Sequence, residues 1–95
     1  MTLRIPGRRD TELSPLEAEV MSEKAAALAQ SGRRVEAALA ALAEAGDDRS
    51  QRLKAAADAV YGFFIQREII GLRDHRSVID YYAIPREVLL RLGAR

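Results

Sequence analysis

The run MSEKAAALAQSGRRVEAALAAL, residues 21–42, can be read as one helix or as two. Ser31-Gly32 in its middle has the composition of a terminator. Yet Met21, Ala25, Leu28, Gly32, Val35, Leu39 and Leu42 follow a 4-3-4-3-4-3 spacing without a slip, the period of a single buried helical face. A break at Gly32 would reset that phase. The spacing therefore predicts one helix from about Pro15 to Ala45, with Gly32 inside its seam. The alternative is two helices split at Ser31-Gly32. Glycine inside a helix costs about 1 kcal/mol against alanine, so the continuous reading needs a bulky partner side chain in close approach to Gly32.

The start of this helix is well marked. Ser14-Pro15-Leu16-Glu17 supplies an N-cap serine, a proline at the first helical position and a glutamate three residues after the serine, the elements of a capping box. Leu13 stands where it can staple onto Ala18 or its neighbours. Glu17, Glu19 and Glu23 suit the positive end of the helix dipole. Gly46-Asp47-Asp48-Arg49-Ser50 reads as a turn, with the glycine ending the first helix and an aspartate or Ser50 capping the next. The second helix is expected from about Gln51 to Ile70, with Leu53, Ala56, Ala57, Val60, Phe63, Phe64 and Ile70 as its seam. So short a connection makes antiparallel neighbours. Folding back at this turn brings together residues whose numbers sum to about 95, which sets Phe63 and Phe64 across from Gly32.

Two further patterns follow from the second helix. Tyr61, Ile65, Ile69 and Leu72 fall nearly opposite Val60, Phe63, Phe64 and Ile70, and a helix that is apolar on both sides must be covered on both. The second cover is expected from the C-terminal segment, from a partner chain, or from both. In that segment Gly71 ends or kinks the second helix, Asp74 can cap a short helix over His75 to Tyr82, and Ala83-Ile84-Pro85 breaks it. A last helix is expected over Arg86 to Leu92, closed by Gly93. Val78, Ile79, Tyr82, Ile84, Val88, Leu89 and Leu92 are its candidate covering residues. Charge divides along the chain: residues 10–48 hold nine acids and three bases, a net of −6, and residues 49–95 nine bases and five acids, a net of +4.

Composition agrees with an all-α chain. Alanine occurs 17 times and leucine 11 times in 95 residues, against five aromatics, and alanine and leucine are strong helix formers. The net charge of +1 excludes affinity for a phosphate backbone through charge alone. Absence of cysteine excludes disulfides, thiolate metal sites and thiol nucleophiles. No apolar run is long enough to span a bilayer, and the N-terminus lacks a secretory pattern, so a cytoplasmic location is expected. Residues 1–12, with Arg4, Arg8 and Arg9, read as a flexible basic tail, and residues 13–95 as a single helical domain.

Gly71-Leu72-Arg73-Asp74-His75-Arg76, Ile84-Pro85-Arg86-Glu87-Val88-Leu89 and Arg91-Leu92-Gly93 resemble the C-terminal signature of a bacterial family of small helical proteins, labelled a domain of unknown function. Glu23-Lys24-Ala25-Ala26-Ala27-Leu28 and Gln66-Arg67-Glu68 are similar to it as well. The resemblance implies an uncharacterised all-α protein and brings no catalytic or cofactor residue with it.

Candidate chemistry is sparse. His75 is the only histidine, and one histidine without cysteine does not make a typical zinc site; no metal and no cofactor are expected. Arg67 projects from the middle of the apolar face of the second helix, where it must snorkel or find an acid. With Glu68, Arg73, Asp74, His75 and Arg76 it forms a candidate polar network, read as structural, with an anion site as its functional alternative. Ser77 to Gly93 resembles a helix-turn-helix, but Arg86, Glu87 and Arg91 are the only polar residues its second helix offers to base edges. Of Tyr81 and Tyr82, one ring is expected inside and one outside.

These readings converge on a long antiparallel helical hairpin followed by two short C-terminal helices. The expected function is non-enzymatic, through self-association, as a dimer, or through binding of a protein partner, with Tyr61, Ile65, Ile69 and Leu72 as the candidate interface. The alternative is a nucleic-acid-binding module using the C-terminal segment.

Overall fold

A computed structural model describes residues 13–93; the expected basic tail lies outside them. Four helices follow in order, α1 (Pro15–Ala43), α2 (Arg49–Ile69), α3 (Arg76–Tyr82) and α4 (Arg86–Leu89), with no strand among the described residues. The chain is all-α, and α1 runs unbroken through Gly32. Its start is the full capping box: the Glu17 amide donates to Ser14 Oγ at 3.1 Å, and the Ser14 amide donates to Glu17 Oε1 at 2.8 Å.

The turn departs in detail from the expected one. Helix α1 ends at Ala43, before Gly46 is reached, and Gly46 is not in the left-handed region. Asp48 precedes α2 without capping it. Its carboxylate accepts instead from the Gly46 amide at 3.2 Å and from Arg52 Nε at 2.6 Å. Arg52 Nη1 in turn donates to the Ala41 carbonyl at 2.8 Å, in the last turn of α1, where the Glu44 amide also donates.

Val35 and Leu42 from α1, Ala56, Ala57, Val60, Phe63 and Phe64 from α2, and Ile84 and Val88 from the C-terminal segment form the core. Gly32 lies against this core, facing Tyr82 and Phe63. A β-carbon built there would overlap the Tyr82 hydroxyl and stand 3.6 Å from Phe63 Cε1. The register of the hairpin thus brings Phe63 to Gly32, but the residue that needs the glycine is Tyr82, whose ring packs edge-on against Phe63 with centroids 5.6 Å apart.

That contact relocates the C-terminal segment. It lies in the groove between α1 and α2 and completes the core there, and it does not cover the outer face of α2. Ile84 and Val88 are buried, and Val78, Ile79, Tyr82, Leu89 and Leu92 pack around them. Two backbone features steer it. Gly71, at φ 96°, ends α2, with the Leu72 amide donating to the Arg67 carbonyl and the Gly71 amide to the Glu68 carbonyl, the Schellman pattern. Ala83, at φ 52°, ends α3 in the same way, through Ile84 to Ile79 and Ala83 to Asp80. The last helix is shorter than expected, because beyond Leu89 the chain tightens into turns such as Arg91 to Val88 and Leu92 to Leu89.

Gly32→Ala is expected to lower the urea midpoint, because overpacking against Tyr82, a cost of about 1–3 kcal/mol, outweighs the gain in helix propensity. In a Tyr82→Phe background, which removes the overlapping hydroxyl, the same change is expected to be neutral or stabilising. A loss of equal size in both backgrounds would contradict the Tyr82 contact.

Candidate functional site

The last turn of α2, the loop after it and the first residue of α3 bring five of the six candidate network residues together. Arg67 is buried, with 9% of its surface exposed. A guanidinium so placed needs partners for its donors. Its Nε donates to His75 Nδ1 at 3.1 Å and its Nη2 to the Asp74 carbonyl at 2.9 Å. It also lies 5.9 Å from the centroid of the Phe63 ring, within cation–π range.

The arginine fixes the state of the histidine. An arginine N–H can only donate, so Nδ1 accepts and the proton of the neutral ring sits on Nε2, which donates to Glu68 Oε2 at 2.8 Å. The imidazole is also stacked on Phe64, with centroids 4.1 Å apart and planes 9° from parallel. Both ring nitrogens are thus engaged within the chain. Asp74 closes the loop. Its Oδ1 accepts from the Arg76 amide at 3.0 Å, and its carboxylate is gripped by the Arg76 guanidinium at 2.6 to 3.2 Å. These bonds from Arg76 hold the Asp74 carboxyl well below the usual carboxylate range. Arg73 stays exposed and joins no ion pair or hydrogen bond among the described residues.

The arrangement is a clamp between α2 and α3, with Arg67 and His75 inside it and Glu68, Asp74 and Arg76 at its exposed edge. A second link was not visible in the sequence: Arg49, at the start of α2, pairs with Glu87 of α4. The pair holds the Glu87 carboxyl below its ordinary value and raises that of Arg49. Only the position of the C-terminal segment in the groove brings these two together, and no spacing announces it. Buried Ser31 was also missed, since it sits beside the seam rather than in it. Among the described residues no group of three or more His, Asp or Glu side chains is placed to hold a metal ion.

The candidate interface residues lie together on the outer face of α2 and just past its end. Tyr61 is 47% exposed, Ile65 39%, Ile69 73% and Leu72 43%. A β-carbon built at Gly93 would stand 3.5 Å from the Tyr61 ring, so the end of the described chain comes up to the edge of this face. In the segment that resembles a helix-turn-helix, Val88 is buried, Leu89 packs on the core and Glu87 is tied to Arg49. That leaves Arg86 and Arg91 outward. Tyr81 is exposed and Tyr82 half-buried, their rings edge to face.

A family model described as a family of unknown function, DUF6665, matches residues 3–95. The chain belongs to that family. No curated protein and no solved structure matches it significantly. No helix among the described residues is long and apolar enough to cross a membrane.

Two outcomes test the clamp in this DUF6665 chain. Arg67→Met is expected to lower stability by about 1–2 kcal/mol and to speed amide exchange in α3; an unchanged or raised Tm would contradict a structural role. The lowered carboxyls of Asp48, Asp74 and Glu87 contribute stability that is present above the ordinary carboxylate range, near pH 4, and is lost as pH falls through the folded values. Their contribution to Tm is therefore expected to be level from about pH 5 to 7 and to fall in acid, less so in Asp74→Asn. An Asp74→Asn acid profile identical to that of the unmodified protein would count against the pairing.

Proposed function

We propose that this protein is a non-enzymatic helical module of the cytoplasm that works by presenting an apolar surface to another protein chain. The observation that carries this reading is the row Tyr61, Ile65, Ile69 and Leu72, left exposed after the C-terminal segment has taken its place in the core. Scattered exposed apolar residues are ordinary on a protein surface, but contiguous ones mark places of association. The reading also draws on the polar cluster, whose groups bind one another rather than facing an open cleft. A chain this small buries a limited share of its surface alone, and association supplies the remainder. Nothing in the geometry favours the nucleic-acid reading over this one.

Static light scattering across a concentration series is the test. The mass is expected to rise above the 10.5 kDa of one chain, and Ile65→Glu with Ile69→Glu is expected to weaken association through this face about tenfold or more. A mass fixed at one chain throughout would remove self-association as the mode of action.

A further inference from the structure

His75 is the only histidine in the chain, and its ring is held at both nitrogens. The two bonds respond differently to a proton. A neutral imidazole accepts at one nitrogen and donates from the other, whereas an imidazolium can only donate. At Nε2 nothing changes in kind, because that nitrogen donates to Glu68 Oε2 in either state. At Nδ1 the bond is lost. A proton placed there would face the Arg67 Nε–H across 3.1 Å, donor against donor.

The surroundings do not relieve that conflict. Of the charged groups around the ring, α2 supplies Arg67 and Glu68, and the ring's own segment supplies Asp74 and Arg76. Arg67 would be one cation against another, and with 9% of its surface exposed it has little water to turn to. Asp74 is engaged with Arg76. Glu68 is the counter-charge in contact with the ring, but its side chain is half in solvent, whereas the His75 side chain is 13% exposed and lies flat on Phe64. Burial disfavours a charged ring, and solvent weakens the carboxylate that favours it. Arg67 makes room only by moving with the Asp74 carbonyl that holds its Nη2, and that carbonyl belongs to the loop from which α3 departs.

We propose that His75 is a proton-operated latch: uptake of a proton at Nδ1 breaks its bond with Arg67 and loosens α3 from the end of α2. The latch acts within one chain and does not depend on the association reading. It is shut with the ring neutral and opens as the ring is charged, so it opens as pH falls through the range in which histidines titrate, around pH 6.5. The carboxyls lowered by their arginine partners titrate below this window.

Two measurements on the unmodified full chain test the latch. Two-bond nitrogen–proton spectra of the ring are expected to show the proton on Nε2 at about pH 7 and both nitrogens protonated at about pH 5. Amide-exchange protection in α3 is expected to fall about tenfold between the same two conditions, while protection at Val35 and Val60 stays level. His75→Asn keeps an acceptor and does not titrate, and its α3 protection is expected to be equal at both. A neutral ring carrying its proton on Nδ1, a ring still neutral at about pH 5, or α3 protection unchanged once the ring is charged would each overturn the latch. So would an equal fall in His75→Asn, which places the sensitive group elsewhere.

Discussion

Three segments meet at Gly32 with no side chain of its own between them. The ring of Tyr82 reaches the backbone of α1 there while resting its edge on Phe63 of α2. This contact sets the depth at which the C-terminal segment enters the groove, and hence whether Ile84 and Val88 join Val35 and Val60 in one core. An alanine-rich hairpin alone has little apolar bulk to bury, and dispersion and hydrophobic gains scale with area and close contact. The third element turns a thin two-helix seam into a core with residues that are wholly enclosed. The glycine's cost in helix propensity is offset by that closeness.

The polar clamp performs the complementary task. Burial of an arginine is tolerated because His75, the Asp74 carbonyl and the Phe63 face take up its charge and donors. The same bonds orient the loop from which α3 departs, so that Tyr82 arrives opposite Gly32. The Arg49–Glu87 pair then ties the far end of the segment to the start of α2. Exposed pairs of this kind contribute little each, and their role is one of direction more than of strength. Packing supplies the energy, and the polar groups set the direction in which the segment leaves α2.

Much of this architecture could be read from residues alone. The unbroken 4-3 spacing from Met21 to Leu42 outweighed Ser31-Gly32, and α1 is continuous because a helix seam cannot absorb a break without losing phase. The sum rule from the turn at residues 46–50 put Phe63 beside Gly32. Proximity along the chain and the burial expected of Arg67 brought most of the clamp together. The destination of the C-terminal segment was not legible. Its residues are apolar on more than one side, so composition fits either face of α2, and the choice is made by the shape of the groove at Gly32 and by the backbone at Ala83. Arg49 with Glu87 was hidden for the same reason, being 38 positions apart. Arg73 lies within the motif yet outside the network, because Gly71 turns the chain before it and leaves its side chain to water.

The kink at Ala83 is coupled to the core through its neighbour Ile84. A left-handed backbone is costly for any residue with a β-carbon, and here it is held by the Ile84 and Ala83 amides donating to the Ile79 and Asp80 carbonyls and by the seating of Ile84 in the core. Lifting Ile84 would take away one support of the kink, and relaxing the kink would swing Ile84 outward, so the bend of the backbone and the seat of one side chain are coupled.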